Sequence, residues 1–137
     1  GVRVIIKCHP AMSMSRLFGG NERPLPEHVE ISDESIDALM ARSSVMVYTS
    51  STVCLQALAI GLPLVHFLPR FGLDLDPLEA EPEARLEATE LGELRRETRW
   101  ALEHREEYIE SHRERWNLLV DDMYGPVTEQ TYLAFVD

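Results

Sequence analysis

Cysteine is scarce in this 137-residue chain. Only Cys8 and Cys54 occur, and they share no metal-ligand spacing. Two such residues build neither a disulfide framework nor a zinc site, and they predict free thiols in a reducing compartment. Long apolar runs are absent too. No stretch approaches the roughly 20 residues needed to span a bilayer as a helix, so the sequence predicts no transmembrane segment. Positive charge is short in one half alone. Residues 1–70 balance six Lys/Arg against six Asp/Glu, whereas residues 71–137 carry seven against eighteen, and this second half accounts for the whole net charge of −11. A surface so acidic repels phosphate backbones and anionic lipid, which argues against nucleic acid as a partner. Neither an internal repeat nor a low-complexity tract is present.

What is there centres on residues 45–63, VMVYTSSTVCLQALAIGLP. A short apolar run is followed by four hydroxyl residues, Thr49, Ser50, Ser51 and Thr52. Val53, Leu55, Ala57, Leu58 and Ile60 then recur at helical spacing until Gly61 and Pro63 stop the helix. Residues 64–68 form another apolar run. The pattern predicts a strand, a hydroxyl-capped helix and a second strand, hence a parallel pair with a right-handed crossover. A helix start carries unpaired N–H donors and partial positive charge. Ringed with hydroxyls, it suits phosphate or carboxylate. The same hydroxyls equally suit a plain helix cap.

Upstream, residues 2–7 read as a buried strand rich in β-branched residues, ending at Lys7-Cys8-His9-Pro10 because proline cannot continue a ladder. Ligands in parallel α/β sheets collect beyond the carboxyl ends of strands. Lys7 and His9 are therefore candidate anion-binding groups, although a loop histidine and a solvated lysine fit the same pattern. Residues 11–27 read as a long loop with a short helical turn near 14–18. Residues 28–31 read as a strand. Ser32 or Asp33 is expected to cap a helix carrying Ile36, Leu39 and Met40. His66 reads as a satisfied strand histidine, and Gln56 as either a ribose ligand or a surface amide. The acidic run from Asp74 to Glu90 reads as a solvated loop and helix start rather than a metal site. Beyond it, Leu91, Leu94, Thr98 and Ala101/Leu102 form one helical stripe. Tyr108/Ile109, Trp116 and Leu119/Val120 continue that stripe after a break near residues 104–106. Gly125-Pro126 then precedes a last short helix with Tyr132, Leu133, Phe135 and Val136.

These elements predict a Rossmann-like α/β domain with a parallel sheet of about four strands and a helical C-terminal extension. The expected division is an α/β core over residues 1–77 and a helical extension over 78–137. The chain starts at Gly1 without an initiator Met, which is expected of a piece of a longer protein.

Strand-Lys7-x-His9-Pro10, the helical Asp37-Ala38-Leu39, the Ser50-Ser51 helix start and the run from Leu55 to Val65 together resemble the C-terminal nucleotide-binding domain of GT-B glycosyltransferases. Among these, the chain is most similar to enzymes of bacterial surface carbohydrate: capsule polysaccharide transferases, CDP-glycerol glycerophosphotransferases and polysialyltransferases. The resemblance covers residues 2–68, with a looser likeness in the helical tail and at Tyr124-Gly125-Pro126. It implies that His9 acts catalytically by stabilising charge on the departing phosphate. It further implies that Ser50 and Ser51 hold the phosphate of a CMP-, CDP- or UDP-linked donor. Lys7, Thr49 and Thr52 are expected from their positions to join them and Gln56 to reach the ribose, and no metal or separate cofactor is demanded because no Asp/Glu pair flanks the loop. A glycan acceptor would bind through a preceding domain, and the whole enzyme would be cytoplasmic or peripheral at the inner face of the membrane. Three departures stand out. Gln56 replaces the ribose-binding Glu of many relatives. Cys8 replaces a Pro before the histidine. The first β-α unit and the acceptor domain are absent, so the isolated chain is expected to be inactive. A UDP-sugar 2-epimerase-like protein of the same architecture is one alternative. A non-catalytic module that keeps the fold and binds partners through its acidic helices is another.

Overall fold

The structure, a computed structural model, describes residues 1–9, 19 and 24–125. The expected helical turns near 14–18 and 132–136 lie outside them. The chain divides into two compact units, Gly1–Arg42 and Ser43–Asp137.

In the first unit, β1 (Val4–Ile6) pairs in parallel with β2 (Val29–Ile31), with Val4 opposite Val29. Helix α1 (Ile36–Ala41) follows. Its cap is Ser35, whose Oγ accepts from the Ala38 N–H at 3.3 Å. Ser32, one of the two expected caps, serves the turn before the helix instead, accepting from the Glu34 N–H at 3.2 Å. The helix therefore starts later than its hydroxyl and acidic signals suggested. On the surface, Glu30 bridges Arg3 at 2.8 Å and Arg42 at 3.1 Å. The paired guanidinium of Arg42 helps hold the Glu30 carboxyl below its ordinary range.

The second unit contains β3 (Met46–Tyr48), α2 (Val53–Ala59), β4 (Leu64–Phe67), a 3-10 turn (Pro82–Ala84), β5 (Leu86–Ala88), α3 (Leu91–Glu103) and α4 (Arg105–Met123). The strands are ordered β3-β4-β5, all parallel. The β3–α2–β4 unit is the one the sequence predicted. The single sheet of about four strands is replaced, among the described residues, by parallel sheets of two and three strands.

Strand β5 falls where no strand was expected. Leu86-Glu87-Ala88 has no β-branched residue, so its own propensity is weak. Pairing creates it: Val65 faces Leu86, and the Leu68 N–H donates to the Ala88 carbonyl at 2.9 Å.

Burial follows from this order. β4 is the central strand, and Leu64, Val65 and His66 are each at most 3% exposed. A run covered on both faces reads as continuously apolar rather than alternating. Helix α2 ends in a Schellman arrangement, with the Gly61 N–H donating to Leu58 and the Leu62 N–H to Ala57, each at 2.9 Å. Gly61 takes φ +71°, the left-handed turn this ending requires. Helix α4 packs on α2 and on the 3-10 turn, where the Trp116 indole N–H donates to the Ala84 carbonyl at 3.0 Å. Trp100, His104, Tyr108, His112 and Trp116 form a continuous line of ring contacts, from 4.1 Å between Tyr108 and His112 to 5.8 Å between His112 and Trp116. The helical break falls at His104, within the expected interval. Leu91 departs from the expected stripe and is exposed at the start of α3. Among the described residues no helix is long and apolar enough to cross a membrane.

Candidate functional site

The hydroxyl loop, residues 49–52, leaves the carboxyl end of β3 and enters α2. Thr49, Ser50 and Thr52 are exposed, and Ser51 is half-buried. The helix start is organised by Ser51. Its Oγ accepts from the Val53 N–H at 3.4 Å, and its carbonyl accepts from the Cys54 N–H at 3.1 Å. Thr52, in the capping position, makes no side-chain cap bond. Of the four hydroxyls only that of Ser51 serves the helix. Among the described residues, the backbone N–H groups of Ser50, Ser51 and Thr52 meet no protein acceptor. Three successive donors and three hydroxyls thus stand at the carboxyl end of a strand.

Beneath this loop lies a buried polar network. Tyr48, His66, Asp76 and Arg85 are each no more than 6% exposed. The Tyr48 hydroxyl donates to Asp76 Oδ1 at 2.9 Å, and the Leu78 N–H donates to the same oxygen at 3.0 Å. Arg85 Nε stands 2.5 Å from Asp76 Oδ2, an ion pair whose angle departs from that of a hydrogen bond. Arg85 Nη2 reaches Glu87 at 2.8 Å. His66 Nδ1 lies 3.6 Å from Asp76 Oδ2, and His66 Nε2 lies 2.8 Å from the Thr49 carbonyl oxygen. Burial, followed by the bond to Asp76, drives the Tyr48 phenol far above its ordinary range. Burial also lifts the neighbouring Cys54 thiol to about 11.

The acidic run departs from the expected solvated surface at one carboxylate. Asp76 is not solvated; it is the hub of the network. The segment around it is inverted in polarity. Phe71, Leu73 and Leu75 are exposed, while Asp74 Oδ1 accepts from the Asp76 N–H at 3.0 Å and Asp76 faces the core. Leu73, Asp74 and Leu75 are all exposed and Asp76 alone turns inward, so no periodicity marked it, and composition placed it with its solvated neighbours. Arg85 carried no signal either.

The other predicted residues are placed as follows. Lys7 and His9 are exposed beyond β1, in the first unit, and Cys8 is half-buried. Gln56 is exposed on α2. His66 is the satisfied strand histidine that was expected. Two surface hollows, about 490 and 340 Å³, are each lined by one helix, α4 and α3 respectively. Neither includes a residue of the hydroxyl loop.

Fold and loop together define an α/β protein with parallel strands and a donor-rich loop at a strand's carboxyl end. No family model, curated protein or solved structure gives a significant match to the chain.

Proposed function

We propose that residues 49–52 hold a phosphate of a nucleotide-activated donor, and that the chain is the donor-binding domain of a glycosyltransferase or glycerophosphotransferase that builds bacterial surface polysaccharide. One observation carries the anion reading. The N–H groups of Ser50, Ser51 and Thr52 are unpaired among the described residues, at the carboxyl end of β3 and beside exposed hydroxyls. Successive backbone donors of this kind favour phosphate oxygens over neutral ligands. The donor class and the transfer reaction come from the resemblance alone. The role of His9, charge stabilisation on the departing phosphate, and that of Gln56, a neutral partner for the ribose, rest on their positions together with the resemblance.

Amide NMR titration with CMP, CDP, UDP and GDP at millimolar concentration tests the reading. A site made of one such loop is expected to bind with a Kd near 1 mM, about 4 kcal/mol. Selective movement of the 50–53 amides that Ser51→Ala weakens supports the proposal, and the tightest nucleotide names the donor. No movement with any of the four removes it.

A further inference from the structure

We propose that His66 is a positioning residue that shapes the hydroxyl loop through the Thr49 carbonyl. The inference rests on reading residues 49–52 as an anion loop, and it adds a part of that device with no exposed surface of its own. Hydrogen bonding along β3 sets the problem. The Met46 N–H donates to the Pro63 carbonyl at 2.9 Å, so Met46 and Tyr48 direct their backbone groups at β4. Val47 and Thr49 would direct theirs the other way in a strand running straight on. Yet the Thr49 carbonyl meets the imidazole of His66, a side chain of β4, at 2.8 Å. The backbone has therefore already turned at Thr49, and the amides of residues 50–52 have left the ladder. A carbonyl only accepts, so His66 Nε2 carries the hydrogen.

The imidazole is flanked by a fixed carboxylate. Asp76 Oδ2 lies 3.6 Å from Nδ1, Arg85 fixes Asp76 from β5's side, and Tyr48 fixes it from β3. The network spans all three strands and reaches the loop at one carbonyl. Asp74 Oδ1, 3.9 Å from His66 Nε2, is the other charged group facing the ring.

Two substitutions separate positioning from packing. In glutamine the amide nitrogen stands as many bonds from Cα as His66 Nε2, so His66→Gln keeps a donor for Thr49. In asparagine the nitrogen corresponds to Nδ1, so His66→Asn keeps a polar group toward Asp76 and gives up Thr49. The experiment compares both variants with the wild-type chain by 15N relaxation and by titration with inorganic phosphate. His66→Gln is expected to keep rigid 50–52 amides and to bind phosphate within about threefold of wild type. His66→Asn is expected to bring the order parameters of those amides below about 0.6 and to weaken phosphate at least tenfold. Equal loop order in the two variants overturns the proposal, whatever their melting temperatures. Loosening confined to His66→Asn in a chain that binds no phosphate overturns the anion reading alone and leaves the positioning role standing. If either variant fails to fold, the wild-type imidazole 15N shifts decide. A protonated Nε2 supports the proposal, and a neutral ring protonated only at Nδ1 ends it.

Discussion

Arg85 and Asp76 form a buried ion pair, 2.5 Å between Nε and Oδ2, with side chains that are 3% and 0% exposed. They stand nine positions apart in sequence, and the 3-10 turn lies between. Taking two charges out of water is costly, so such a pair is justified by what it organises more than by what it stabilises. Here it joins the loop after β4 to the start of β5.

Removing one partner is expected to be far worse than removing neither. Asp76→Ala leaves the buried Arg85 guanidinium with only the exposed Glu87 carboxylate, takes the acceptor from the Tyr48 hydroxyl and the Leu78 N–H, and should lower stability by about 3–5 kcal/mol. Urea unfolding followed by circular dichroism measures it. A loss below about 1 kcal/mol would mean that water reaches the cluster.

Trp116 is 1% exposed and donates to the Ala84 carbonyl. Trp116→Ala should cost about 3–5 kcal/mol through the cavity it leaves, and the orphaned carbonyl adds to this. Trp116→Phe keeps most of the volume and isolates the lost hydrogen bond, at about 1–3 kcal/mol. Thermal melts of the two variants separate the contributions.

Gly61 shows a backbone effect without crowding. A Cβ there would meet Ile109 Cγ2 at 3.8 Å, an ordinary contact, while φ stays at +71°. Gly61→Ala should therefore cost about 1 kcal/mol, read as a fall in unfolding midpoint with unchanged denaturant dependence.

Thiol accessibility is expected to be sharply unequal. Cys54 is fully buried and its thiol is raised to about 11, with burial as the largest cause. A chromogenic disulfide reagent at pH 8 should titrate one thiol quickly, that of the half-buried Cys8, and the second only as the chain unfolds.

The start of α3 predicts an acid-sensitive contribution. Glu93 Oε2 accepts from the Thr89 N–H and hydroxyl, both at 2.9 Å, and these bonds hold its carboxyl below the ordinary 4.5. A carboxyl lowered in the folded state stabilises fully above its unfolded value, and the gain is lost as pH falls through the folded one. Melting temperature should drop below pH 4.5 more steeply in the wild type than in Glu93→Gln.

How much of this was legible beforehand depends on which force makes each element. The β3–α2–β4 unit was readable because propensity, periodicity and the Gly61 stop all agree there. The break at His104 and the inward Tyr108, Ile109 and Trp116 followed from helical periodicity. Strand β5 was not readable, since Leu86-Glu87-Ala88 becomes a strand only by pairing with β4. Ser35 was missed as a cap because two earlier residues offered equal chemistry. At the candidate site, the loop hydroxyls were identifiable from their place between strand and helix. The network beneath them was not, because Tyr48, His66, Asp76 and Arg85 are scattered along the chain and meet only through the sheet order.

That sheet order sets how early the chain can be cut. The three strands are joined only by crossovers, so none can zip up as a hairpin with its neighbour. As the chain emerges from a ribosome, β4 has one finished edge once β3 is out, and its other edge waits for residues 86–88. A fragment ending at residue 77 would carry Asp76 without its cation and β4 with one bare edge. Such a fragment would be prone to sticking to other copies through that edge, and the shortest self-sufficient piece of the second unit extends past Ala88.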